Sequence, residues 1–296
     1  MKNFNSKSLV TVGIPVYNGG KYIEKRIESI IKQTYQNFEI IISDNASTDN
    51  TSKICEKFLI DEKIHYYKQK TNIGIFKNFN YLITNAKGKY FVIASVDDKW
   101  EPTFLEKNVE VLESNENIVG SISKVEFYGH QIKKQNSKIF SIKKIIRRSE
   151  FDPLIDHVVE AKGNYEEKAE KYLRFNQGSF IHGLFRTNAV KKIKLDQSVL
   201  GWDLCFILGI LKFGDLHVID ETLLYKFSSG LSSKGLLALA KSTNSFFDLF
   251  TCFPFFNWCR KNIGMKFCIK NLDWFIFGSI FRWIIVAREY FLKNQN

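Results

Sequence analysis

The segment Lys89-Tyr90-Phe91-Val92-Ile93-Ala94-Ser95-Val96-Asp97-Asp98-Lys99-Trp100 sets an apolar run directly against two aspartates. Tyr90 to Val96 is short, apolar and free of polar alternation, the pattern of a strand buried on both faces. Open parallel sheets carry their chemistry just beyond the carboxyl ends of such strands. Two adjacent carboxylates repel each other and are costly to desolvate unless a cation or hydrogen-bond donors compensate them. A divalent metal that also holds a phosphate-bearing ligand meets that need. The bland alternative is a surface Asp-Asp turn ahead of a helix, with Asp98 or a neighbour as its cap.

The same punctuation recurs on either side. Leu9 to Val16 is a β-branched apolar run ending in Pro15-Val16-Tyr17-Asn18-Gly19-Gly20, a strand followed by a turn. Lys21 to Thr34 carries Tyr22, Ile23, Ile27, Ile30 and Ile31 at helical spacing. Phe38 to Ser43 reads as a second buried strand, followed by a polar turn from Asp44 to Thr51 and a helix to about Leu59. Ile64 to Lys68 reads as a third strand, Asn72-Ile73-Gly74 as a turn, and Phe76 to Ala86 as a helix closed by Gly88. Further on, helices are expected over Pro102 to Glu113 and Trp202 to Lys212. Strands are expected over Ile118 to Phe127, Phe180 to Phe185 and Leu216 to Tyr225. Gln131 to Gly178 is polar, basic early on and weakly patterned, and is expected to make an excursion over the sheet.

Repeated strand–helix units with short links predict a parallel α/β sheet with helices on both faces. The strand ends at Pro15-Tyr17, Asp44 and Asp97-Asp98 then meet along one edge. Neither G-x-x-x-x-G-K-[ST] nor G-x-G-x-x-G occurs, so phosphates must be held by metal and carboxylate.

With 296 residues, 45% of them hydrophobic, the chain can bury one large domain, or one domain with an appendage. A net charge of +12 suits an anionic partner: nucleic acid, an acidic membrane face or a phosphorylated substrate. The acidic strand ends argue against nucleic-acid backbone in the cleft. Cys55, Cys205, Cys252, Cys259 and Cys268 form an odd set without Cys-x-x-Cys, which points to reduced thiols in a cytoplasmic protein. No His/Cys spacing resembles a zinc site. The polar opening Met1 to Ser8 gives no secretory signal. Trp274 to Ala287, interrupted by Arg282, reaches about 21 Å against a hydrocarbon core of roughly 30 Å, so it should not span a bilayer.

In order and spacing these motifs resemble the family 2 glycosyltransferases of the GT-A fold. Val10-Thr11-Val12-Gly13-Ile14-Pro15-Val16-Tyr17-Asn18 is similar to that family's first strand. Gln33-Thr34-Tyr35 with Phe38 to Thr51 resembles its second, and Asn72-x-Gly74, Asn80 and Ala86 to Tyr90 precede its acidic motif. The likeness is strong from about Leu9 to Trp100, weaker to Tyr225 and absent afterwards. It implies a Rossmann-like GT-A catalytic domain over residues 1–230, with a nucleotide-sugar half to about 100 and an acceptor half over 101–230. An aromatic-rich helical region over 231–296 follows.

The implied activity is transfer of a sugar from a UDP- or dTDP-linked donor to a hydroxyl acceptor, by metal-dependent inverting displacement. Pro15 and Tyr17 are implied to line the base, and Asp44 to accept its ring N–H. Asp97 is placed near the ribose, and Asp98 on Mg²⁺ or Mn²⁺ bridging the diphosphate. Leaving-group chemistry explains the metal, because charge develops on the departing diphosphate. One carboxylate base is enough for a direct displacement. Asp203, in Leu200-Gly201-Trp202-Asp203-Leu204, resembles the family's base, although an Asp in a first helical turn is also favoured by capping and the dipole. Asp196 and Asp215 are the fallbacks. His182, in His182-Gly183-Leu184-Phe185-Arg186, falls in the segment that approaches the acceptor, against the alternative of a structural His at a strand end.

Two departures stand out. Ser95 occupies a position where members often carry a further aspartate, which leaves fewer metal contacts. In Tyr225 to Ser233, where members often show His or Arg over the diphosphate, Lys226 offers a point charge rather than a planar fork.

The end of the chain adds a question of placement. Phe246 to Phe256 and Leu272 to Phe291 are apolar and aromatic, flanked by Arg260, Lys261, Lys266, Lys270, Arg282, Arg288 and Lys293. Leu272, Phe275, Ile276, Ile280, Trp283, Ile284 and Ala287 fall on one helical stripe. Such a helix either packs on the catalytic domain or an oligomer partner, or lies in an anionic membrane interface. The second placement suits a lipid-linked saccharide acceptor at the inner face of the plasma membrane, in bacterial surface polysaccharide or lipopolysaccharide assembly. Two rival functions remain open. One is a sugar-phosphate nucleotidyltransferase, for which Asn18-Gly19-Gly20-Lys21 is a poor phosphate loop. The other is a non-catalytic basic membrane-binding protein with a degenerate transferase fold.

Overall fold

β1 (Val10–Val16) is buried along almost its whole length, as a strand covered on both faces should be, and the sheet is built outward from it. In the computed structural model, which describes residues 8–129, 155–156, 158–175, 179–227 and 252–293, β1 pairs in parallel with β2 (Phe38–Asp44) on one side. On the other side it pairs in parallel with β4 (Tyr90–Ile93), and β3 (Ile64–Lys68) lies parallel beyond β2. The register sets Val16 opposite Asp44 and Gly13 opposite Ile93, so the three predicted strand ends do lie side by side. Beyond β4 the pairing turns antiparallel at β8 (Leu184–Arg186), then continues through β6 (Ile118–Tyr128) and β9 (Asp215–Phe227) to β5 (Lys99–Trp100). β6 and β9 run parallel, and β7 (Ile155–Asp156) pairs with β6.

Gly88 explains how β4 is delivered so close to β1. A Cβ there would sit 2.6 Å from the Thr11 backbone nitrogen and 2.7 Å from the Leu9 carbonyl oxygen, backbone atoms that have little room to yield. The Gly88 N–H instead donates to Thr11 Oγ1 at 2.8 Å.

The connecting helices follow the apolar spacing. α1 (Ile23–Ile31) buries Ile23, Ile27 and Ile30, and α2 (Thr51–Glu56) buries Ile54 and Cys55. α3 (Ile75–Asn85) buries Phe79, Leu82 and Ile83, and α4 (Phe104–Ser114) buries Phe104, Leu105, Val109 and Leu112. α2 stops three residues short of the expected Leu59. The expected excursion lies partly outside the described residues, but it contains a helix that the charge pattern hid, α5 (Tyr165–Phe175). Phe180 to Phe185 is a 3-10 turn over Ser179–His182 followed by β8, rather than one strand, and β8 leads into the single turn α6 (Thr187–Val190).

α7 (Trp202–Ile210) is apolar all round and correspondingly buried. Trp202 packs on Phe79 at 4.7 Å between ring centroids, and Phe206 packs on Phe79 and Phe185 at 5.8 and 5.1 Å. Each large side chain so buried contributes about 1.5–3 kcal/mol. This aromatic contact fixes the start of α7 against the sheet.

The C-terminal region forms α8 (Phe253–Asn262), α9 (Met265–Lys270) and α10 (Leu272–Lys293). It is tied to the rest by the Trp258 indole N–H, which donates to the Lys194 carbonyl at 2.8 Å, and by Arg174 paired with Asp273 at 3.1 Å. The expected stripe on α10 is divided: Phe275 is buried against Phe255 and Phe256, while Leu272, Ile276, Ile280, Trp283 and Ile284 face solvent. No helix among the described residues is long and apolar enough to cross a membrane. The boundary near residue 230 and the apolar residues 246–251 lie outside the described residues. All five cysteines are buried, and none is in a disulfide.

Candidate active site

The β1–α1 and β2–α2 turns are stitched together by side chains that cap backbone N–H groups. The Asn18 N–H donates to Ser47 Oγ at 2.8 Å, and the Thr48 N–H returns a bond to Asn18 Oδ1 at 2.9 Å. Gly19 and Gly20 donate to Thr51 Oγ1 and Asp49 Oδ2 at 3.0 and 2.9 Å. Asn18 and Ala46 are left-handed at φ 51° and 63°, which turns the chain sharply after each strand. The result leaves Tyr17 51% exposed at the mouth of the sheet edge, beside a half-buried Pro15.

Asp44 is the last residue of β2. It is fully buried, accepting from the Ser47 N–H at 2.8 Å, the Tyr66 hydroxyl at 2.6 Å and the Ser52 hydroxyl at 3.4 Å. Burial and this bond push the Tyr66 phenol above its ordinary range. Tyr66 and Ser52 carry no motif, and sequence reasoning passed over them.

The acidic pair sits in a tight turn. β4 ends at Ile93, three residues before the expected Val96; the Ala94 N–H still reaches the Gly13 carbonyl at 2.9 Å, and the chain then leaves the sheet. It re-enters as β5, whose Lys99 and Trp100 pair with Tyr225 and Leu224 of β9. The end of β9 is thereby drawn onto the turn, and the Phe227 N–H donates to Asp98 Oδ1 at 3.2 Å. The Tyr128 hydroxyl, at the end of β6, donates to the Asp97 carbonyl.

Two cations flank the pair. Arg26, on the buried face of α1, lies 4.0 Å over the Trp100 ring and donates to the Asp98 carbonyl at 3.3 Å. Its Nε and Nη2 have no hydrogen-bond partner among the described residues. Burial lowers its pKa to about 10, against the attraction of Asp98 and Asp97. The sequence did carry a signal for it, a charge on the stripe formed by Ile23, Ile27 and Ile30. Lys226, near the end of β9, donates to Ser179 Oγ at 2.9 Å. Its charge acts on Asp97, Asp98, His182 and Asp203, four of the residues singled out in the sequence.

Burial governs the titration of the site. Asp98, 8% exposed, is pushed up to about 6 by burial; Lys226 and Arg26 oppose the shift and Asp97 adds to it. Burial raises Asp97 as well, again against Lys226 and Arg26. His182 is held well below its ordinary value by burial, then by Lys226 and Arg26, so its imidazole is neutral. Its Nδ1 lies 3.9 Å from Asp98 Oδ2.

Asp203 occupies the first turn of α7, with Oδ1 accepting the Leu204 N–H at 2.9 Å. Burial raises its carboxyl above the usual range, against the Leu204 N–H, Lys226 and Arg282. The fallback Asp215 is ion-paired to Lys168 at 3.0 Å at the start of β9, the end of the strand away from Lys226. Asp196 is a local cap, accepting from the Ser198 N–H and hydroxyl at 2.9 and 2.6 Å.

Whether these residues fit a divalent cation follows from the donor set. Among the described residues no three His, Cys, Asp or Glu side chains cluster as a self-sufficient metal site. Asp98 Oδ2 faces a buried, neutral imidazole nitrogen that has no hydrogen-bond partner there. Such a small protein donor set fits Mg²⁺ or Mn²⁺ shared with a diphosphate and water, the usual way these ions are held at phosphate sites.

Comparison with known proteins gives the same picture. The model of the family "Glycosyl transferase family 2" matches residues 11–179. The glycosyltransferase GlyG of Streptococcus pneumoniae is 43% identical over 91 residues, 30% of this chain and 30% of GlyG. TuaG of Bacillus subtilis, a glycosyltransferase provisionally named for teichuronic acid biosynthesis, is 38% identical over 109 residues, 36% of this chain and 43% of TuaG. The chain thus spans less than half the length of these curated relatives. Among solved structures, Staphylococcus aureus TarS in complex with UDP-GlcNAc superposes with a TM-score of 0.56 at 18% identity, over 75% of this chain and 59% of that one. A mannosyltransferase from Pyrobaculum calidifontis, in complex with GDP-Man and Mn²⁺, gives 0.52 at 16% identity, over 75% and 57%. At these identities the likeness carries the fold. With the GT-A-like sheet, the acidic turn at its edge and a family match over more than half its length, the chain belongs to glycosyl transferase family 2.

Proposed function

We propose that the protein transfers a sugar from a UDP- or dTDP-linked donor to a hydroxyl of a saccharide or lipid-linked saccharide, by a metal-dependent inverting displacement. The observation that carries this reading is the Asp97-Asp98 turn just beyond the end of β4, tied to Arg26 and to the Phe227 N–H at the end of β9, with Asp203 under the influence of the same Lys226 charge. Residues to about 100 serve as the donor half and 101–230 as the acceptor half, and the region after 231 is an appendage whose helices α8 to α10 dock on the rest.

Tyr17 and Pro15 offer the base an aromatic face and an apolar edge. Tyr66 and Ser52 take Asp44 Oδ2, while Oδ1 accepts the Ser47 N–H and keeps a second lone pair for the base N–H. Asp97 faces the ribose, and Asp98 holds Mg²⁺ or Mn²⁺. Bound there, the cation supplies positive charge to the departing diphosphate. Lys226 adds a second charge from the protein, already oriented by Ser179. Asp203 takes the proton of the acceptor hydroxyl. With Oδ1 accepting the Leu204 N–H, its other oxygen is left for the acceptor hydroxyl, and the upward push of burial on its pKa makes it a better base. A single base on the face opposite the leaving group gives inversion. The comparisons do not favour the nucleotidyltransferase alternative.

TuaG's name supports a place in surface polysaccharide assembly. The helical appendage supports contact with an anionic membrane at the cytoplasmic face. Among the described residues, ten of the sixteen exposed large apolar side chains lie from Phe253 onward, including Ile276, Ile280, Trp283 and Ile284 on one face of α10. Exposed Lys266, Lys270 and Arg288 lie on the same helices. A thermal-shift series with UDP-, dTDP- and GDP-sugars plus Mn²⁺ tests the donor assignment: a uracil or thymine nucleotide-sugar raises Tm. A shift with GDP-sugars alone overturns it.

A further inference from the structure

We propose that His182 is a second protein ligand, through Nδ1, of the divalent cation that Asp98 holds, and that this carboxylate–imidazole pair binds the cation tightly only when a diphosphate is present. The inference rests on the donor-site reading above. It goes beyond it in giving His182 to the metal rather than to the acceptor.

Nδ1 of His182 is buried and has no hydrogen-bond partner among the described residues, a state that calls for an explanation in a folded protein. The ring is fixed, by a hydrogen bond to the Ile93 backbone and by its place at the end of the 3-10 turn beside β8. β8 pairs with β4, Leu184 opposite Val92, so the imidazole is set next to the turn that carries Asp98.

The 3.9 Å between Nδ1 and Asp98 Oδ2 is too long for a hydrogen bond. Two neighbouring ligands of an octahedral cation, each at about 2.1 Å, stand about 3 Å apart, so the two atoms need close by only about 1 Å to share one. The opposite Asp98 oxygen is turned away and held by the Phe227 N–H. A metal ligand with its ring anchored by a backbone group and its free nitrogen facing a carboxylate is a familiar arrangement.

The requirement for diphosphate comes from charge. Asp97 and Asp98 are balanced by Arg26 and Lys226, so the cleft alone offers a dication little net attraction. Diphosphate supplies the missing negative charge and further oxygen ligands.

The test uses the full chain, Mn²⁺ and UDP. Pulsed electron paramagnetic resonance on the Mn²⁺–UDP complex of the unaltered protein should show modulation from one directly bound nitrogen. That modulation should change frequency when histidine alone is labelled with ¹⁵N. His182→Gln should lose it and weaken Mn²⁺ binding by at least about tenfold in the presence of UDP. Without UDP, Mn²⁺ should bind at least about tenfold more weakly to the unaltered protein. A Mn²⁺–UDP complex without histidine nitrogen coupling overturns the proposal and leaves the donor reading standing, and this arm needs no variant to fold. Tight Mn²⁺ binding without UDP overturns the diphosphate requirement. Absence of any UDP or Mn²⁺ binding overturns the donor reading and the proposal together.

Discussion

Replacing Asp98 with Asn should make the metal-free protein more stable at neutral pH. Asp98 is 8% exposed, and its pKa stands at about 6 against an ordinary 3.8. At about 1.4 kcal/mol per tenfold change in the proton equilibrium, ionised Asp98 costs the folded state about 3 kcal/mol at pH 7.5. Asn keeps an oxygen for the Phe227 N–H and turns an amide N–H toward the orphaned His182 nitrogen, without the charge. A gain of about 1–3 kcal/mol is expected, or several degrees in Tm for a chain of this size. The pH dependence carries a definite sign. Between pH 3.8 and 6 the folded state binds the proton more tightly than the unfolded one, so Asp98 erodes stability as pH rises through that window. The advantage of Asn should therefore be full above pH 7 and vanish near pH 4. Urea unfolding in EDTA at pH 7.5, 6 and 4.5 measures it. A loss of stability at pH 7.5, or a gain of the same size at pH 4.5, refutes the reasoning. With Mn²⁺ and UDP the order should reverse, because only the aspartate gains from the ligand.

Asp203→Asn should spare donor binding and lower transfer by roughly 10²- to 10⁴-fold, read as kcat with saturating donor; near-normal turnover moves the base elsewhere. Arg26→Met removes a cation that opposes the rise of Asp98, so loss of Mn²⁺–UDP binding on acidification should begin at higher pH than in the unaltered protein, measured by calorimetric titration across pH 5–8. Ile280→Glu with Ile284→Glu, both on the exposed face of α10, should cut co-sedimentation with anionic vesicles by at least about tenfold while leaving Tm unchanged. An unaltered chain that stays in solution with vesicles at low salt removes the membrane proposal.

Much of the fold was legible because short apolar runs bounded by turn residues leave few choices. β3 occupies the expected Ile64–Lys68, and β2 and β6 end within a residue of expectation. What escaped depended on distant partners. β4 gives up Ala94 to Val96, apolar enough to continue, because the chain must swing out to pair Lys99 and Trp100 with β9. A two-residue strand such as β5 has no local signature at all. On α10 the period placed Phe275 with Ile276 and Ile280, but only contact with Phe255 and Phe256 decides which of them is buried. At the site, the carboxylates stood out as types in a pattern. Arg26, Tyr66 and the nearness of His182 to Asp98 did not, because each depends on two segments meeting in space. The burial of Asp44 behind Tyr66 was equally invisible.

The most direct test is release of free nucleoside diphosphate. The full chain is incubated with UDP-, dTDP- and GDP-sugars and Mn²⁺, with Asp98→Asn in parallel. UDP or dTDP should appear with the unaltered protein and fall to background with the variant or with EDTA. Folded protein that releases no nucleoside diphosphate from any donor, or that forms nucleoside triphosphate when pyrophosphate is added, contradicts the account.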